Sequence, residues 1–154
     1  MELTQLLRPE AIKIVANSTS KKRLFQSLGE LAASAYGLCP NRVFDALQER
    51  ETLGPTGVGH GVALPHARLE GPKQIVGAFI RLEKPMPFDS IDRQPVDLIF
   101  ALFAPQEAGV DHLKSLALVS RTMRNGSICK KLRSNADPAT LYAILTETQA
   151  SQAA

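Results

Sequence analysis

In the stretch TGVGHGVALPHARLEG, Thr56 to Gly71, glycines stand at 57, 59 and 61 and a histidine, His66, directly follows Pro65. With an ordinary pKa of about 6.5, a histidine ring is mostly neutral at pH 7 and carries a free lone pair on one nitrogen. Such a ring can accept a phosphoryl group with nothing more than positioning and charge stabilisation, whereas a serine would need an adjacent base. The fixed φ of Pro65 helps to aim it. Alternate glycines permit positive φ and close approach, so the backbone N–H groups around Gly57 and Gly59 can face an anion with no side chain between. A turn that binds nothing uses the same residues, and a lone histidine equally suits a satisfied structural position.

Two further residues could serve the chemistry at His66. His112 sits after Asp111 at the expected start of a helix, where N–H groups and the positive end of the dipole favour an anion. Arg50 closes the helix that leads into the glycine stretch. A phosphohistidine carries close to two negative charges and needs cationic or N–H partners of this kind. The plain alternatives are an ion pair of Arg50 with Glu49 or Glu51, and a capping role for His112. Other phosphate and metal motifs do not fit. Gly57, Gly59 and Gly61 follow G-x-G-x-G rather than G-x-G-x-x-G, and no Gly-Lys-Ser/Thr completes a P-loop. Histidines at 60, 66 and 112 match no common zinc spacing, and no cysteine or carboxylate cluster completes a set.

The elements that must position these residues alternate between strand and helix. AIKIVA (11–16) alternates as a short strand, and a helix follows from Lys21 with Ser20 as its N-cap and Gly37 as its stop. CPNRVFDALQERE repeats the helical pattern and ends near Leu53 and Gly54. GVALP reads as a short strand, IVGAFIRLE and VDLIFALFAP as the two main strands, and the proline-bearing segment 84–95 between them as a loop. The next helix, over 111–126, would turn Leu113, Leu116, Ala117, Ser120 and Met123 inward and stop at Asn125-Gly126. A short helix over 127–134 and a last one capped by Asp137 with Pro138 at its first position complete the pattern; residues 148–154 should fray. The fold class expected is α/β, a single-domain sandwich over 1–154 with a central mixed β-sheet flanked by helices.

Composition narrows the function classes. At 154 residues and 44% hydrophobic content, one core is sufficient without staples. The net charge of +3 is dispersed apart from KKR at 21–23 and KKLR at 130–133, and 5% aromatics leaves little to stack on bases, which argues against nucleic acid. No apolar run suggests membrane insertion, the first ten residues lack a signal peptide's pattern, and Cys39 and Cys129 lie far apart, so a cytoplasmic protein with reduced thiols is expected.

LQERETLGPTGVGHGVALPHARLEG is similar to the signature of the type-2 enzyme IIA domains of the bacterial phosphoenolpyruvate-dependent phosphotransferase system, the fructose, mannitol and nitrogen-regulatory group. VDHLKSLALVSR resembles that family's second signature, and the likeness spans nearly the whole chain. The resemblance implies that His66 takes a phosphoryl group from the phosphohistidine of an HPr-like carrier protein. It implies that Arg50 and His112 stabilise the phosphate, and that Thr56, Gly57 and Gly59 line the pocket, with no metal or organic cofactor. Pro55, where the family often has serine, brings neither hydroxyl nor N–H. His60 stands where asparagine or glycine is frequent and fits an exposed turn. A chain of this length without a IIB cysteine motif or membrane span resembles the nitrogen-regulatory branch. Regulatory targets such as potassium transport components or sensor kinases would then be its partners, with a second copy of the chain as a weak one. The alternative is a sugar-specific IIA component that relays the phosphoryl group to a IIB partner.

Overall fold

The computed structural model describes the backbone of residues 1–153 and the side chains of residues 1–147; the fraying expected over 148–154 lies outside those side chains. The strands are β1 (Leu7–Val15), β2 (Gly57–Gly59), β3 (Val62–Ala63), β4 (His66–Leu69), β5 (Val76–Met86) and β6 (Val96–Pro105). The helices are α1 (Leu3–Leu6), α2 (Lys21–Tyr36), α3 (Pro40–Thr52), α4 (Val110–Met123), α5 (Gly126–Arg133) and α6 (Pro138–Ala153). The two most apolar segments, β5 and β6, pair antiparallel at the centre of the sheet, with Phe79 directly opposite Phe100. Their rings meet edge to face at 6.1 Å, the geometry that aromatic quadrupoles favour. β1 joins β5 in parallel, and β3 and β4 both join β6 in parallel. β2 closes onto β3 antiparallel, giving the order β1-β5-β6-β3-β2 with β4 beside β6. Phe79, Ile80 and the run Leu98–Ala101 have no exposed surface, because helices cover this mixed sheet and bury its centre on both faces.

Local chemistry sets most boundaries where the periodicity places them. Ser20 Oγ accepts the Arg23 N–H at 3.1 Å, and Asp137 Oδ1 accepts the Ala139 N–H at 3.3 Å, each satisfying an orphan donor at a helix start. Tyr36 Oη accepts the Arg8 N–H at 3.0 Å and donates to the Gly77 carbonyl at 2.6 Å, tying the end of α2 to β1 and β5. Four expectations are corrected. β1 begins at Leu7 because its ladder with β5 starts there. β5 runs on to Met86, so part of the expected 84–95 loop is strand: Met86 still pairs with Val96 across an irregularity in the ladder that accommodates Pro85. Asn125 does not terminate α4; its side chain accepts the Ser127 and Ile128 N–H groups and caps α5 instead. Finally, α4 turns His112, Ser115, Val119 and Thr122 inward with Leu118 and Met123, whereas Leu113 and Ala117 are exposed. A hydropathy stripe selects leucines, but the packing of α4 is decided by what faces it.

The glycine stretch is itself part of the sheet. His60 (φ 56°) and Gly61 (φ 79°) form the two-residue connection between β2 and β3, with both residues left-handed as such tight hairpins require. Gly61 is needed twice over. A β-carbon there would stand 2.5 Å from Arg133 Nη2 and 2.8 Å from Asp97 Oδ1. Those two side chains form a two-pronged ion pair with both contacts at 2.9 Å, and the guanidinium also donates to the His60 carbonyl at 2.8 Å. Gly61→Ala should therefore cost about 1–3 kcal/mol in a urea melt through backbone strain alone, and more where the ion pair is displaced.

Candidate functional site

His66 owes its position to an interruption in a strand. Val62 pairs with Leu98 and His66 with Leu102, so β3 and β4 keep one offset of 36 positions against β6 and amount to a single line broken at Leu64 and Pro65. Pro65 still accepts the Leu102 N–H at 3.0 Å but has no N–H to return, which is why the ladder lapses there. Leu64 donates its N–H to the Thr56 carbonyl at 2.9 Å. Its own carbonyl lies 2.8 Å from His66 Nδ1. A carbonyl can only accept, so the ring proton sits on Nδ1 and the lone pair is on Nε2. Burial pushes the His66 pKa below the ordinary histidine value, and the Arg50 charge acts the same way, against the opposing pull of the Leu64 hydrogen bond and of Glu51. The ring is neutral and nucleophilic at pH 7.

Around it lies a cleft of ≈ 430 Å³ whose lining includes Arg50, Leu53, Arg68, His112 and Leu113. The His66 and His112 rings meet edge to face at 5.7 Å and 71°. His112 is third in α4, and its Nδ1 accepts the Arg68 Nε–H at 3.0 Å. That leaves the proton on Nε2, which is buried and has no partner among the described residues. Burial first, then the neighbouring His66 and Arg68, hold the His112 pKa below its ordinary value. It is a neutral ring with an unspent N–H donor. Arg50 Nη1 donates to the Gly54 carbonyl at 3.0 Å, anchoring the guanidinium at the end of α3 while its other donors remain. Among the described residues it pairs with neither Glu49 nor Glu51. The cleft therefore offers one free imidazole nitrogen, one imidazole donor and two guanidinium groups, a set suited to a dianionic phosphoryl group, with the Glu49 side chain also on its lining.

The structure brings His66, His112 and Arg50 together, but it does not place Thr56, Gly57 or Gly59 on the cleft. Thr56 is buried, and its Oγ1 and N–H both donate to the Glu51 carboxylate, at 2.6 and 3.0 Å. Lys21 holds that carboxylate from the other side at 2.8 Å. Gly57 packs on Ser90, where a β-carbon would collide with the serine, and Gly59 faces Asp92. These residues brace the segment that carries His66. His60 is exposed in its turn, its N–H given to Asp92 at 2.9 Å. Sequence reasoning missed Arg68 and the rim leucines. Arg68 shares His66's face of β4 at two-residue spacing, a signal that could be used only once His66 is known to begin a strand.

Half-buried His66 and buried His112 are both neutral in the fold with pKa values held down, so the unfolded chain binds more protons as pH falls below about 6.5. Their contribution to stability is complete above that value and is lost as pH falls through the depressed folded values. Urea melts across this range should show stability dropping on acidification. The slope should flatten in a His66→Gln, His112→Gln double variant.

Residues 5–148 match the family described as "Phosphoenolpyruvate-dependent sugar phosphotransferase system, EIIA 2". The chain is 46% identical over 145 residues to a "Nitrogen regulatory protein" of Bradyrhizobium diazoefficiens, covering 94% of this chain and 95% of that one. It is 41% identical over 150 residues to the protein of the same name from Escherichia coli, covering 97% and 92%. Among solved structures it is similar to Nitrogen Regulatory Protein IIA-Ntr from Neisseria meningitidis, with a TM-score of 0.85, 40% identity, and coverage of 92% of this chain and 97% of that one. A family match across nearly the whole chain, on a sheet that delivers a neutral histidine to a cationic cleft, makes this protein a member of the EIIA type 2 family of the phosphoenolpyruvate-dependent phosphotransferase system.

Proposed function

We propose that the protein is a phosphocarrier of the nitrogen-regulatory kind, which accepts a phosphoryl group on Nε2 of His66 from an HPr-like protein and acts on its targets according to its phosphorylation state. The observation that carries this reading is the 2.8 Å contact of Nδ1 with the Leu64 carbonyl, which leaves Nε2 as the nucleophile beside Arg50 and His112. In the transfer, the Nε2 lone pair forms the new N–P bond as the donor's N–P bond breaks and its electron pair returns to the donor ring. The proton stays on Nδ1, hydrogen-bonded to the Leu64 carbonyl, throughout, so His66 needs no general base. Positioning and electrostatics supply the catalysis.

Two apolar side chains on the rim support a protein donor rather than a small molecule. Leu53 is 82% exposed and Leu113 64% exposed, and both border the cleft. Exposed leucines beside a reactive group are what a docking carrier would cover. The nitrogen-regulatory assignment is supported by the names of the relatives that match over nearly the full chain; cytoplasmic target proteins and at most weak self-association are part of the same proposal. Addition of about two negative charges to the cleft is the switch those targets would read.

Incubation with phosphoenolpyruvate, Enzyme I and an HPr-type carrier should give a single acid-labile phosphoryl adduct by intact-protein mass spectrometry, absent from His66→Ala. An adduct that persists in that variant would refute the assignment of His66. Onward passage of the group to a IIB domain would favour sugar relay over regulation. Leu113→Ala, which removes the apolar contact without adding a charge to the cleft, should slow transfer from the carrier about tenfold, the loss expected for a central interface side chain, while phosphorylation by the small donor phosphoramidate changes far less.

A further inference from the structure

We propose that Arg68 is a positioning residue for phosphoryl transfer: its Nε–H, given to His112 Nδ1, locks that ring as the Nε2–H tautomer and so presents the donor that receives a phosphoryl oxygen. The inference rests on the phosphocarrier reading and adds a residue to it. Three observations converge. The Arg68 Nε to His112 Nδ1 contact is 3.0 Å, and a guanidinium can only donate, so the acceptor nitrogen carries no proton. The proton must then be on Nε2, and that atom is buried without a partner. A buried N–H left unpaired is costly in a resting protein, by about 1–3 kcal/mol, so its persistence points to a partner that arrives with the substrate. The two imidazoles also stand edge to face at 5.7 Å, which puts the His112 ring directly against the ring that would carry phosphorus.

His66 and Arg68 lie on one face of β4, at the first and third positions of a four-residue strand held in register by β6. One rigid element therefore sets the nucleophile and the residue that orients its neighbour. His112 arrives from α4, and the Arg68 hydrogen bond is what joins the two elements across the cleft. The rest of the guanidinium adds positive charge to the same cleft, which Arg68 lines.

Two substitutions separate the hydrogen bond from the charge. Counting bonds from the α-carbon, Gln places its amide nitrogen where Arg has Nε, and Met places a methyl group there. Arg68→Gln keeps an N–H at that point without the charge, whereas Arg68→Met keeps only the shape. The tautomer of His112 is read by 15N chemical shifts of the two ring nitrogens, and transfer to His66 by mass spectrometry with both phosphoramidate and the phosphorylated carrier. The wild type should show Nε2–H on His112. Arg68→Met should mix the tautomers and lower the maximal transfer rate about tenfold with either donor, consistent with loss of one oriented donor. Arg68→Gln should restore the tautomer and most of the rate. Several results would overturn the proposal: Nδ1–H on His112 in the wild type, a Met variant that transfers at full rate, one that is slow yet keeps Nε2–H, or a Gln variant no better than Met. A wild type that takes phosphoryl from neither donor would sink the phosphocarrier reading itself, an outcome distinct from a competent wild type whose Arg68 variants are unaffected.

Discussion

Everything at the site depends on a parallel strand that crosses a residue with no N–H without losing register. Pro65 cannot return a hydrogen bond to β6, yet Val62–Leu98 on one side and His66–Leu102 on the other keep the same offset. The strand therefore stays straight while its ladder lapses at one point. β4 pairs with β6 alone, so its other edge is left to side-chain and loop groups. There the Leu64 carbonyl accepts the hydrogen bond of His66 Nδ1–H rather than that of a ladder N–H. A carbonyl that had been spent in the sheet would leave the imidazole free to rotate and to choose either tautomer.

The electrostatics follow from what surrounds that ring. Two guanidiniums and two neutral imidazoles share a half-buried cleft, and burial, by disfavouring the charged form of both rings, leaves one nitrogen unprotonated on each. Glu49 lines the cleft as well, and Glu51, the carboxylate whose charge acts on His66, would oppose a phosphate if it were open to the same space. Lys21 from α2 and both donors of Thr56 occupy it instead. Thr56 and the glycines thus act by shaping and neutralising the segment behind His66. Alternate glycines let β2, the turn at His60 and the 84–95 segment approach one another closely enough to fix where β3 begins.

The exposed side of α4 connects chemistry to recognition. Val110 and Leu113 face solvent at the end of the helix that supplies His112, and Leu53 faces it from the end of α3, next to Arg50. The two helix ends that bring Arg50 and His112 to the cleft therefore also bring its apolar border. A partner that covers the leucines excludes water from the same space in which the guanidiniums act, and those charges gain strength as the local dielectric falls.

The sequence by itself determined which side chains stand at the centre of the proposed site, and most elements. An imidazole behind a proline, a cation at a helix end and a histidine at a helix start are local facts, as are the caps at Ser20 and Asp137 and the apolar runs of β5 and β6, because each depends on neighbours within a few residues. The parts that escaped were those set by distant neighbours. Whether Thr56 faces phosphate or Glu51 depends on Lys21, thirty positions from that glutamate. Which side of α4 is inward depends on the sheet it meets, so Leu113 could pass for core until the packing turned it to the rim. Arg68 gains its role only because His112, 44 positions away, is folded against it. Tautomer, pairing and exposure were decided by tertiary structure, since each is a property of two groups that only the fold makes adjacent.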